Sequence, residues 1–390
     1  MLTEAHFYSV EYDRIIEKLW QMRKSKVTFA ISPFMRRTTV LTSSLLLAAS
    51  LTPQQVAKLP GTIWGFTFLP GDKYVLATLK KGDIYLIGIH NKELKKINHN
   101  VPSTVHGQGG LLDINVHPHY EKNKKVFLTH TYSKNGEYTT ALSVGTLQQK
   151  TLQLKSKLLH VAKAYSSKGQ HFGSRVVLSK TGHLFYSIGD RGERHEAQKL
   201  TTHKGKIIRL NWDGSVPKGN PFLKNKQALP EIWSYGHRNP QGLFWQSKTQ
   251  KLWEQEHGPR GGDEINHVLP GKNYGWPVIT YGKEYWGPSI GEGKKKRGME
   301  QPVYQYTPSI APSGLVVYSG KKKKAWENHF FLGALKLTHV NHVNWDGKKA
   351  GSEQRYFRDR AERVRCIRED SKGDIWYSTD GGKIYHIKIN

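Results

Sequence analysis

One phrase recurs along the chain and limits what it can become. Residues 71–89 read GDKYVLATLKKGDIYLIGI, residues 182–192 read GHLFYSIGDRG with GKIIRLNWDG at 205–214, and residues 373–389 read GDIWYSTDGGKIYHIKI. Each opens on a Gly/Asp/Lys turn, continues as alternating aromatic and β-branched residues, turns again and leaves as another strand. Strands are expected at Ile63–Leu69, Tyr74–Leu79, Asp83–Ile89, Lys125–Thr131, Thr140–Thr146, Val176–Leu178, His183–Ile188, Lys206–Asn211 and Ile375–Ser378. Such meanders have the texture of β-propeller blades. About 330 residues at roughly 45–55 per blade give about six blades. A pair of β-sandwiches is the structural alternative. No strand alternates with a long amphipathic helix, which argues against a Rossmann or α/β barrel fold.

Composition fits an all-β chain. Of 390 residues, 38 are Gly, 11 Trp and 19 Tyr, a bias toward turns and aromatic-rich strands. Mean hydropathy is −0.62, and nothing suggests an integral membrane protein. The net charge of +29 invites a nucleic-acid reading. However, the blocks Lys294–Arg297 and Lys321–Lys324 have no interleaved aromatics, and no helix-turn-helix or zinc-finger spacing occurs. Nucleic acid is therefore not expected as a partner. The single Cys366 permits no internal disulfide and no thiolate cage. Residues 1–34 read as a non-native extension. Residues 35–50 start with Met35, Arg36 and Arg37, continue into an apolar run and end on small residues, as a secretory signal does. The folded domain is expected at 51–390, exported to the periplasm.

No Walker A, GxSxG or HExxH pattern occurs, and His106–Leu112 lacks the third glycine of a dinucleotide loop. Six other pieces carry possible chemistry. Gln108–Asp113 is a glycine turn. Gln170–Arg175 places His171 in a Gly/Ser loop suited to a general base. Arg238–Gly242 sets an arginine beside amides, able to grip an anion. His257–Asn266 and Asn273–Trp276 offer carboxylates and carbonyls of the kind calcium takes. Gly333–Lys336 contributes a lysine. Arg363 and Arg365, two apart on a strand, share a face. Taken singly, each is as readily a surface turn or stripe.

As an ordered set, WSYGHRNPQG, EHGPRGGDEIN, GKNYGWP, SIAPSG, GALK and RVR resemble the soluble pyrroloquinoline-quinone-dependent sugar dehydrogenases of the glucose/sorbosone dehydrogenase family, aldose branch, from about Leu59 to Asn390. The resemblance implies a six-bladed β-propeller that oxidises aldoses at C1 to the lactone and passes electrons to an external acceptor, as a monomer or weak dimer. It implies His171 as general base, supported by Asp190, with Arg238 stabilising the developing oxyanion. Gln108, His171, Arg238, Asn239, Gln241, Ser309, Lys336, Arg363 and Arg365 match quinone or substrate contacts. Gly258 and Pro259 match carbonyl ligands of calcium, and Glu264 and Tyr274 a further calcium site.

Two departures put glucose selectivity in doubt. Gln170 stands where the glucose-specific branch has an aspartate, and Thr307 where it has a tryptophan, with Tyr304 nearby. The resemblance gives no role to His237 or to the basic charge. The competing readings are a non-catalytic propeller that binds a glycan or protein, and a calcium-dependent lactonase.

Overall fold

Turn chemistry fixes where the strands begin. The computed structural model describes residues 51–390, so the extension at 1–34 and the leader at 35–50 lie outside the described residues. The first strand is β1 (Pro53–Lys58). Next come β2 (Ile63–Phe68), β3 (Tyr74–Leu79), β4 (Ile84–Gly88), β5 (Leu94–His99), β6 (Leu111–Val116), β7 (Lys125–Lys134), β8 (Glu137–Gln148) and β9 (Gln153–Val161). Then follow β10 (Val176–Leu178), β11 (His183–Ile188), β12 (Lys206–Asn211), β13 (Ile232–Tyr235), β14 (Pro240–Gln246), β15 (Lys251–Glu256), β16 (Asp263–Val268) and β17 (Tyr304–Tyr306). The last are β18 (Pro312–Val317), β19 (Phe330–Ala334), β20 (His339–Trp345), β21 (Ala350–Tyr356), β22 (Val364–Glu369), β23 (Ile375–Thr379) and β24 (Lys383–Ile387). The protein is all-β. No described helix is long and apolar enough to cross a membrane.

Short turns make neighbouring strands antiparallel partners. β10–β13, β14–β17 and β18–β21 each form a four-stranded sheet in chain order. β2–β5 and β6–β9 do the same and join at β5 and β9, where Asn98 and His99 run parallel to Gln153 and Leu154. β22–β24 take β1 as their fourth strand, so the start of the described chain closes on its end. The leading strands form a ring of contacts: β2 to β6, β10, β14, β18, β22 and back to β2. Apolar residues fill the space between successive sheets. Trp253, Ile265, Leu315, Phe330 and Leu332 form one such layer.

The leading strands share a local irregularity. Register slips between Ile63 and Gly65, Leu111 and Ile114, Pro240 and Gly242, Ser313 and Leu315, and Val364 and Cys366. A bulge bends its strand and re-aims a side chain. Trp64, Leu112, Gln241 and Arg365 sit in these bulges, and all four line one cleft.

Beneath that cleft lies Arg175, one residue ahead of β10 and fully buried. Its Nε donates to the Gln241 carbonyl at 2.7 Å. Its other nitrogens donate to the carbonyls of Trp64 (3.2 Å) and Arg365 (2.6 Å), to Ser313 Oγ (3.4 Å) and to Asp113 Oδ1 (3.2 Å). Its guanidinium also lies 4.1 Å from the Trp64 ring centre. Asp113 takes a second arginine, Arg368, at 3.2 Å and the Val176 N–H at 3.0 Å. One cation thus ties β10 to β2, β6, β14, β18 and β22. Arg175→Met leaves Asp113 only Arg368 and the Val176 N–H, takes the buried donor from the Trp64 and Gln241 carbonyls, and leaves the Arg365 carbonyl only the Ser313 hydroxyl. It is expected to lower unfolding free energy by about 3–5 kcal/mol, read by denaturant titration. A loss below about 1 kcal/mol would mean that apolar packing alone holds the ring.

Candidate active site

His171 has left-handed backbone, with φ 54°, a conformation uncommon for a non-glycine residue. Its loop is braced from below. The Arg191 guanidinium lies 3.4 Å from the Phe172 ring centre and donates to the carbonyls of Lys168 (2.7 Å) and Gln170. Gly189 permits the next contact, since a Cβ there would fall 2.3 Å from the His171 carbonyl oxygen. That close approach brings Asp190 to the imidazole. Asp190 Oδ1 accepts His171 Nδ1–H at 2.6 Å and the Gly192 N–H at 2.7 Å, while Oδ2 accepts the Trp276 indole N–H at 2.8 Å.

Electrostatics fix the protonation states. Burial pulls His171 below its ordinary value, aided by the charges of Arg238 and Arg191 and only partly opposed by Asp190. Burial pushes the Asp190 carboxyl upward, but the hydrogen bond and charge of His171, with Arg238, hold it below its usual range. At neutral pH the pair is a carboxylate and a neutral imidazole with its proton on Nδ1, which leaves Nε2 free to accept a proton.

A cleft of about 340 Å³ adjoins this pair. Of the residues expected to hold a ligand, Gln108, Asn239, Gln241, Arg363 and Arg365 line it. Gln108 Oε1 accepts the His171 backbone N–H at 2.9 Å, which links the cleft to the imidazole loop. Asn239 Oδ1 accepts the Gly173 N–H at 3.2 Å. Arg363 and Arg365 converge, as expected, but on a partner that sequence reasoning missed. Arg363 Nε donates to Asp380 Oδ2 at 2.7 Å, and Arg365 Nε to Oδ1 at 2.7 Å. Burial pushes the Asp380 carboxyl up, and the two arginines pull it below its usual range. Lys80 and His257 line the cleft as well. His257 gives its Nε2–H to the Pro312 carbonyl at 2.7 Å, and burial holds its pKa down at about 3. Other expected residues sit elsewhere. Ser309 donates to Asp263 at 2.7 Å, Lys336 is exposed beside Leu335, and Tyr304 gives its hydroxyl to Glu353 at 3.2 Å.

Arg238 lines not this cleft but a smaller pocket, with Glu256, His257, Gly258, Glu264 and Tyr274, and His257 lines both. One guanidinium nitrogen donates to the carbonyls of His257 (3.1 Å) and Gly258 (2.9 Å), while its buried Nε has no partner. Pro259 packs against Gly282. Below Arg238 is a charged cluster. Glu256 Oε2 accepts the backbone N–H groups of Arg238 and of Asn239 (3.1 Å). Its other oxygen meets His237 Nδ1 at 3.3 Å, and Glu254 lies 3.6 Å from the same nitrogen. Burial alone would disfavour charge on His237, but the two carboxylates raise its pKa to about 9. The Tyr274 ring stacks on it at 4.7 Å. His237 therefore holds Glu256, and Glu256 holds the backbone of Arg238 and Asn239. A legible signal existed: Glu254 and Glu256 alternate in an otherwise buried strand, β15, and so share a face.

The geometry stands beside clear similarities. The family model for glucose/sorbosone dehydrogenase matches residues 60–386. The aldose sugar dehydrogenase YliI of Escherichia coli (strain K12) is 38% identical over 336 residues, covering 84% of this chain and 89% of that protein. Quinoprotein glucose dehydrogenase B of Acinetobacter calcoaceticus is 27% identical over 365 residues, 73% of this chain and 74% of that one. The crystal structure of the soluble E. coli aldose sugar dehydrogenase in its apo form superposes with a TM-score of 0.83 at 34% identity, over 87% of this chain and 99% of that chain. The chain belongs to the glucose/sorbosone dehydrogenase family, and by that membership is an oxidoreductase of sugars.

Two substitutions test the site. Asp190→Asn frees the imidazole tautomer and is expected to lower kcat by roughly 10²- to 10⁴-fold with the melting temperature little changed. His237→Asn leaves two buried carboxylates facing one another. It is expected to cost about 3–5 kcal/mol of stability by denaturant unfolding.

Proposed function

We propose that this chain oxidises aldoses at C1 to the lactone with pyrroloquinoline quinone and calcium, on a six-bladed β-propeller. The observation that carries the reading is the His171–Asp190 pair set beside a cleft lined by cations and amides. The ring of leading strands supports six blades, with the eight-stranded sheet counted as two blades sewn at their outer edges.

The residues present fit the cofactor. The cleft is within the range of small-molecule sites, about 300–1,000 Å³. Lys80, Arg363 and Arg365 face a single carboxylate, Asp380, so the cleft suits a ligand with several carboxylates. Arg238 Nε is a buried donor without a partner. The carbonyls of His257 and Gly258 already converge on a cationic group, and oxygen donors of this kind suit calcium. Gly258 and Pro259 would hold it, with Glu264 and Tyr274 at a further site. When bound, the quinone supplies the hydride acceptor and calcium a Lewis acid.

The chain's own groups do the rest. His171 Nε2 takes the proton of the C1 hydroxyl, and Asp190 stabilises the imidazolium that forms. Arg238 offers a donor to negative charge developing nearby. Gln108, Asn239 and Gln241 orient the bound groups. The same reading places the mature protein in the periplasm behind a cleaved leader at 35–50, with an external electron acceptor. Thr307 and the position of Tyr304 support a broad aldose site.

Reconstitution tests this directly. Protein stripped of metal, then given calcium and pyrroloquinoline quinone, should reduce a dye with aldoses, and His171→Ala should lose roughly 10²- to 10⁴-fold. Chelation should abolish turnover. The working form of His171 is neutral and its pKa is depressed below 6.5. The kcat/KM profile should therefore hold through neutrality and fall with acidification only at a pH below that value. An acid limb centred above 6.5 would remove His171 as the base. Failure to bind the quinone would favour a propeller with a different task.

A further inference from the structure

Residues 269–303 join β16 to β17 and cross the face that carries His171. Trp276 within them donates to Asp190, and Lys283 bridges to Arg260. The outermost turn of this connection presents Tyr285 and Trp286, 66% and 74% exposed, the most exposed large apolar side chains among the described residues. The turn is braced. Glu284 accepts both Arg194 terminal nitrogens, at 2.5 and 3.3 Å, and its backbone N–H donates to the Pro288 carbonyl at 2.8 Å. Arg260 donates to the Tyr285 carbonyl at 3.4 Å. An aromatic pair held out in water on a pinned turn resembles an interface anchor more than a loose surface loop.

The basic block at 294–297 belongs to the same rim. Ile279 bridges to Gly293, and the Thr280 N–H donates to the Gly293 carbonyl at 2.9 Å, which sets the start of the block beside the segment leading to the turn, with Lys294 Nζ 5.9 Å from the Tyr281 ring centre. Arg260, Lys283, Lys294, Lys295 and Arg297 are exposed. Lys296 pairs with Glu292, but none of those five has an ion-pair partner among the described residues. A neutral sugar has no use for such charge. A nucleic acid would call for aromatics spaced along a track, whereas here both share one turn.

We propose that this rim docks an acidic one-electron carrier protein, with Tyr285 and Trp286 as the apolar anchor and the five cations guiding its approach. The inference rests on the proposed sugar oxidation. Each aldose converted to lactone yields two electrons and two protons. Two ferric carriers become ferrous, and the protons pass to water. Electron-transfer contacts are small and short-lived, so two aromatics with a charged surround suffice.

Cytochrome c with succinylated lysines serves as an acidic probe, and the same protein unmodified as its basic counterpart. Binding is measured by calorimetry on the full chain and on a Tyr285→Ala/Trp286→Ala variant. Dye and cytochrome reduction are followed after reconstitution. The acidic probe is expected to bind at low salt and the basic one not to bind. The variant should bind about tenfold more weakly or worse, and added salt should weaken both. Dye reduction by the variant should match the parent. Equal binding of the two cytochromes, equal binding by parent and variant, or binding of duplex DNA but of neither cytochrome would overturn the proposal. Probe binding without any dye turnover would instead refute the sugar oxidation, and the carrier role with it.

Discussion

The structure depends on a buried cation. Arg175 has no access to water, so every donor it carries must find an acceptor inside the protein. It finds them on the leading strands of the surrounding sheets: carbonyls at Trp64, Gln241 and Arg365, a hydroxyl at Ser313 and a carboxylate at Asp113. Those carbonyls are available because the bulges interrupt the ladders there. A regular ladder would have used them between strands. The hub and the bulges are therefore one solution to one problem. At Trp64, Gln241 and Arg365 the bulge frees a carbonyl inward for Arg175 and turns a side chain upward into the cleft.

That coupling supports the cleft from below. Gln241 and Arg365 present their side chains to the cleft while their carbonyls are held by the cation below. The second support acts from the side. Glu256 fixes the backbone of Arg238 and Asn239, and His237 holds Glu256 in place. The third acts through Arg191, which braces the loop bearing His171. Three buried positive groups, none expected to touch a substrate, thus set the positions of the groups that would. Preorganisation of this kind spares reorganisation at the moment of reaction.

Much of the fold was legible where local chemistry decides it. β3, β10, β11 and β12 have the expected limits, because Gly/Asp turns and alternation mark both ends. β1 was not legible: PQQVAK is polar and has no turn signal, and it becomes a strand only because β24 offers it an edge. β13 and β17, of four and three residues, are too short to show a period. In the site, the ordered motifs pointed to His171, Asp190 and Arg238. Asp380, Glu256 and Lys80 escaped because their roles come from partners distant in sequence, such as Arg365 for Asp380. Ser309 shows the converse. Its motif suggested a ligand contact, yet the hydroxyl is drawn to Asp263, a buried carboxylate that also takes the Gly258, Ile310 and Ala311 N–H groups.

The charge of the chain falls into two populations with different physics. Inside, each positive group is matched by carbonyls or carboxylates, because an unmatched one would cost several kcal/mol in desolvation. Arg175 and His237 follow that rule throughout, while Arg191 and Arg238 follow it at their terminal nitrogens and each keep a buried Nε without a partner. Outside, water solvates a lysine without help, so an exposed cluster needs no partner for stability and gains little from one. The interior charges are therefore explained by the fold and the site, while the surface excess is explained by neither. A surface excess acts at a distance. It raises the local concentration of oppositely charged molecules and falls off within a Debye length of about 8–10 Å at physiological salt. Where exposed cations share a rim with a braced pair of exposed aromatics, on the connection whose Trp276 holds Asp190, the natural object of that charge is a body that arrives from solution, touches the rim and leaves.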